Sequence, residues 1–68
     1  MTKEEIVEAI NEAKLRSSAK VATFAANNGY QAWSSTNDKN KMALVTTHNL
    51  SVFAYVNKDG AIFKATLK

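Results

Sequence analysis

The 68-residue chain predicts an α+β fold, with an N-terminal helix packed on one face of a four-stranded antiparallel meander. Three observations carry this. Apolar residues recur at three- and four-residue steps from Ile6 to Phe24, the period of one helix face. Lys41 to Lys68 reads as three successive β-prone runs holding most of the large apolar side chains. Between two of those runs, Val56-Asn57-Lys58-Asp59-Gly60-Ala61 supplies Asn, Asp and Gly, the residues of a hairpin turn.

The helix begins at a capping box. The Thr2 hydroxyl can accept from the Glu5 amide while the Glu5 side chain reaches back to the Thr2 amide. Ile6, Ile10, Ala13, Ser17, Val21 and Phe24 share one face, Val7 and Ala25 widen it, and Glu4, Glu8 and Glu12 lie opposite. Gly29 is placed to end the helix in a left-handed cap. An unbroken helix from Lys3 to Asn27 would be ~37 Å long at 1.5 Å per residue. It would overhang strands of ~23 Å. Ser17-Ser18 is the relief point, because serine favours caps over helix interiors. Two pieces, about 3–16 and 18–27, are therefore expected. The alternative is one long helix whose overhang packs on a partner subunit.

Tyr30 to Thr36 is the first and weakest strand, followed by a polar turn over Asn37–Asn40. With Thr36 facing Lys41, Trp33 faces Leu44. A tight loop at Thr47-His48-Asn49-Leu50 sets Val45 against Val52, Leu44 against Phe53 and Met42 against Tyr55. A three-residue turn with a bulge at Gly60 sets Val56 against Ile62 and Tyr55 against Phe63. Side chains alternate between faces. One face then holds Trp33, Met42, Leu44, Phe53, Tyr55, Phe63, Ala65 and Leu67. Being the bulkier, it is expected under the helix. The other holds Tyr30, Ala32, Ala43, Val45, Val52, Ala54, Val56, Ile62, Lys64 and Thr66, a field of small aliphatics edged by lysine.

This length makes a single domain, 1–68, with a core of marginal size. There is no cysteine, hence no disulfide and no thiol chemistry. With one histidine, a metal cage is not expected, and no cofactor is implied. Oligomerisation is the remaining aid to a small core. No apolar run approaches the ~20 residues of a membrane span. The polar N-terminus is unlike a signal peptide. A cytoplasmic protein is expected.

The formal net charge of +3 is uneven. Residues 1–12 set Lys3 against four glutamates, and the rest sets eight basic residues against Asp38 and Asp59. Acids at a helix start are favoured by its dipole, so the polarity has an ordinary cause.

Catalysis finds little support. His48 and the two aspartates belong to different turns, with His48 ~20 Å from the end of the sheet holding the others. Glu4, Glu8 and Glu12 lack the ligands from further helices that a carboxylate metal site draws on. Gly29 and Gly60, far apart, make no phosphate loop. No catalytic residue is assigned.

The leading expectation is a small non-enzymatic interaction or regulatory protein, of inhibitor or adaptor type, working by occlusion. Its contact surface would be the aliphatic sheet face, Val45, Val52, Ala54, Val56 and Ile62, meeting a second copy or one host protein. The alternative is a weak nucleic-acid binder using Lys39, Lys41 and Lys58. Trp33, Phe53, Tyr55 and Phe63 are expected in the core; exposed, they would form a base-stacking platform edged by lysines. No motif assigns a family. The size and the helix-then-meander plan are of a kind common among small accessory proteins of phages and mobile elements.

Overall fold

The structure, a computed structural model, describes the backbone of residues 1–35, 38–46, 49 and 51–68, with the side chains of 34–35 and 38–41 outside the described part. In chain order it runs α1 (Lys3–Ala13), α2 (Ser18–Asn27), β1 (Tyr30–Ser35), β2 (Asp38–Thr46), β3 (Val52–Asp59) and β4 (Ile62–Leu67). The four strands form one antiparallel sheet in the order β1-β2-β3-β4. Both helices pack on the same side of it, α1 against β4 and α2 against β1.

The helical signals act as the sequence predicts. Thr2 and Glu5 form both halves of the capping box: the Thr2 amide donates to Glu5 Oε1 at 2.9 Å, and the Glu5 amide donates to the Thr2 hydroxyl at 3.2 Å. The helical run breaks in two, with Ser17 as the N-cap of α2, accepting from the Lys20 amide at 3.2 Å. Gly29 follows α2 at φ 83°, the left-handed geometry expected of it. The first helix is shorter than expected, ending at Ala13 instead of residue 16. Lys14 takes a left-handed conformation, φ 51° and ψ 54°, as its C-cap. The turn releases the chain early and carries Leu15 to the sheet edge.

All three strand pairings differ from the predicted register, and each has a local cause. Asp59 pairs with Ile62, so the β3–β4 turn is a two-residue loop of Gly60 and Ala61, with Gly60 at φ 65°. Positive φ at the first loop position is what a II′ hairpin turn requires. Tyr55 therefore faces Thr66, not Phe63, and Val56 faces Ala65. Between β2 and β3 the expected Val45–Val52 pair forms. The register then shifts by one, so that Leu44 faces Ala54 and Met42 faces Val56. Phe53 is the extra residue of this bulge. Between β1 and β2, Trp33 faces Ala43, not Leu44. β2 starts at Asp38, inside the stretch expected to be a turn, and the register is irregular between Ser34 and Ser35. The predicted Thr36 pairing and the loop containing His48 lie outside the described residues.

A one-residue slip turns a strand's side chains to the opposite face; with an odd shift in each hairpin, β1 and β3 are reversed while β2 and β4 keep their expected faces. The core beneath the helices accordingly holds Met42, Leu44, Ala54, Val56, Phe63 and Ala65 from the sheet, with Phe53 brought in by the bulge. Ile6, Val7 and Ile10 from α1 and Val21 and Ala25 from α2 complete it. Phe53 sits at one corner. Its ring lies 5.2 Å from that of Tyr30, with Lys3 Nζ 5.4 Å from its centroid, and the Tyr30 hydroxyl donates to the Met1 carbonyl at 2.6 Å.

The outer edge of β4 is closed by the helical layer. The Asn11 amide reads the backbone of Ala65 in both directions: Nδ2 donates to its carbonyl at 3.0 Å, and Oδ1 accepts from its N–H at 2.7 Å. One rung away, the Phe63 amide donates to the Leu15 carbonyl at 2.8 Å. A carboxamide has one donor side and one acceptor side, so it can stand in for a neighbouring strand.

Candidate functional site

Both helices lie on one side, and among the described residues no layer lies over the other face of the sheet. The observed register and the alternation of side chains fix its content. One row runs Gln31–Val45–Val52, the next Trp33–Ala43–Tyr55–Thr66, and the next joins Asn57 to its two register partners, Lys41 and Lys64. Asp59 and Ile62 end the face. Trp33 is 43% exposed and Tyr55 45% exposed, two of the four large hydrophobic residues the described chain leaves open. Strands are ~4.8 Å apart, so the two aromatic residues stand ~10 Å apart on either side of β2. Ala43 lies between them, leaving a shallow floor between two large side chains.

This placement corrects the expected assignment of the faces. Ala54 and Val56, expected on the uncovered side, have no exposed surface and lie in the core under the helices. Val45, Val52 and Ile62 are on the uncovered face. Val45 has no exposure even so, and Val52 and Ile62 are half-buried. The five residues named as an aliphatic contact surface thus do not form one. Trp33 and Tyr55, expected in the core, are the prominent side chains of the open face. Phe53 and Phe63 are in the core as expected. The cause is the odd-numbered register shift in each hairpin.

The basic residues Lys39, Lys41 and Lys58 are not brought onto one face. Lys58 is exposed and stands opposite Phe63, on the helix-side alternation. Lys41 is opposite Asn57, and the side chains of Lys39 and Lys41 lie outside the described part. The basic side chain that the sequence did not single out is Lys64. It neighbours the aromatic row and forms an ion pair with Asp59 at 3.3 Å. Both partners are more than half exposed, so the pair is weak and opens readily.

Charge divides between the layers. Residues 1–29, the helical layer, carry four basic and four acidic residues. Residues 30–68, the sheet layer, carry five lysines against two aspartates, so the whole net charge of +3 belongs to the sheet. Glu4, Glu8 and Glu12 are exposed on α1, turned away from the open face.

A second concave feature lies on the flank of α2. It is a mostly apolar groove of about 330 Å³ lined by Leu15, Ala19, Lys20, Thr23, Phe24 and Asn27. No helix among the described residues is long and apolar enough to cross a membrane. Comparison of the chain with family models, with curated proteins and with solved structures gave no match.

Proposed function

We propose that the protein is a small non-catalytic binding module whose working surface is the open sheet face centred on Trp33, Ala43 and Tyr55. The observation that carries this is the exposure of a tryptophan and a tyrosine side by side on a layer that no helix covers. A chain short of core material would gain from turning these rings inward. Trp and Tyr are also the residues that dominate the energetics of contact surfaces, because they bring large area with few rotatable bonds. The function anticipated from the sequence, contact through one sheet face, keeps its mechanism and changes its residues.

The test compares the unaltered chain with a Trp33→Ala/Tyr55→Ala variant, both shown to be folded by circular dichroism. Each is immobilised and exposed to a total cell extract, and each is examined by light scattering. Whatever the unaltered chain retains, a second copy included, should be lost in the variant. It should persist in Glu8→Lys, on the helical side. Identical retention by all three proteins would rule out the open face as the working surface.

A further inference from the structure

Resting on that reading, we infer that the ligand of the open face is single-stranded nucleic acid, with Trp33 and Tyr55 stacking on bases and the basic sheet layer holding the phosphates. Two independent features converge on this. The first is aromatic. Trp33 and Tyr55 are each more than two-fifths exposed, in one row, with only Ala43 between them. Exposed rings on a sheet offer flat faces to unstacked bases, and stacking tolerates any base because every base has a π-face. The second is electrostatic. Residues 30–68 carry the net charge of +3 while residues 1–29 are neutral, and on the open face register places Lys41 and Lys64 against one acid, Asp59, which Lys64 meets in a weak, exposed pair. Lys64 and Lys41, the two register partners of Asn57, occupy the row beside Trp33 and Tyr55.

The juxtaposition matches a polymer that alternates flat bases with phosphates. Gln31, Asn57 and Thr66 add uncharged hydrogen-bonding groups around the rings, suited to base edges. A duplex hides its base faces inside the stack, so the rings would have nothing to stack on. A second copy of this chain fits less well, because face-to-face association would bring together two faces that each set two lysines against one aspartate. An acidic protein would answer the charge but supply no planar partners for the rings.

The experiment uses the full chain with fluorescently labelled oligothymidylate and oligouridylate of ~20 nucleotides, longer than the site of one small domain. Anisotropy is read at ~50 mM and ~200 mM salt, with a duplex of equal length as comparison. Trp33 is the only tryptophan, so its emission reports directly on the open face. Binding of a single strand with quenching of Trp33, weaker at the higher salt, is expected. Loss of each ring by Trp33→Ala or Tyr55→Ala should weaken binding about tenfold. Trp33→Phe should retain most of it. Lys64→Gln should reduce the slope of log affinity against log salt by ~0.7, the value of one phosphate contact.

The inference is overturned if no single strand binds at the lower salt, if the duplex binds equally well, or if binding leaves Trp33 emission unchanged and survives loss of both rings. If light scattering shows a dimer that dissociates on Trp33→Ala/Tyr55→Ala while neither oligonucleotide alters Trp33 emission, nucleic acid is ruled out and the contact-surface reading stands. If the extract experiment fails as well, both readings fall together.

Discussion

The two faces of this sheet differ in a way that inverts a simple ranking of side chains by size. The covered face sets Ala54, Val56 and Ala65 of β3 and β4 beside Met42 and Leu44 of β2, with Phe63 and Phe53 towards its ends. The open face carries Trp33 and Tyr55. Two helices side by side already bring Ile6, Ile10 and Val21 down onto the sheet, all with no exposed surface. Small residues at the centre of the covered face let those helices approach, and larger ones would hold them off. With Met42, Leu44, Phe53 and Phe63 also beneath the helices, the core is filled without Trp33 and Tyr55, which stand on the other side.

Adjacent residues of β3 give the sharpest way to break this comparison. Val56→Lys places an ammonium in the core and should cost more than about 4 kcal/mol, enough to unfold a domain of this size. Circular dichroism should show loss of structure without denaturant. Tyr55→Lys, one residue away on the other face, should cost less than about 1 kcal/mol in a urea titration. Equal losses at the two positions would contradict the assignment of faces.

Asn11→Ala probes the covered side at its margin. Both hydrogen bonds to Ala65 vanish, and the stability loss should be about 2 kcal/mol. Hydrogen exchange at the Ala65 amide should accelerate while that at Val21 changes only through global stability. No change at Ala65 would show that the edge is held by something else.

The smallest effect lies at Glu5. The Thr2 backbone N–H, donating to Glu5 Oε1, and after it the Thr2 side chain hold the Glu5 carboxyl below its usual range. A depressed folded-state value means that the stabilisation is complete above the unfolded-state value and is lost as pH falls through the folded one. An NMR titration should show the Glu5 carboxyl protonating at lower pH than in a Thr2→Ala variant. Coincident curves would remove the capping box from the account of α1.

Local chemistry was legible in the sequence where one residue type permits one conformation. The capping box, the serine break and the two positive-φ glycines fall in this group. The early end of α1 was not legible, because lysine gives no sign that it will take a left-handed cap, as Lys14 does. Pairing partners were harder still. The run Asn57 to Ala61 supports a two- or a three-residue loop, and only the sheet decides which. The bulge at Phe53 leaves no trace in composition. Since alternation has a period of two, the odd shifts turn over β1 and β3 while β2 and β4 keep their expected faces, so Trp33 and Tyr55 come out and Ala54 and Val56 go in. Lys64 is not marked by the sequence, because its neighbour on the open face, Tyr55, is expected in the core.

The pairing of Asn11 with Ala65 also bears on how copies of this chain can add to one another. An edge strand with unpaired backbone groups invites another strand, and repetition on both sides gives a fibre. Here one side is already occupied by a carboxamide. Among the described residues no such cap is seen on the β1 edge, so a strand added to this sheet would fall there, and a pair joined through that edge would present a capped β4 at each end.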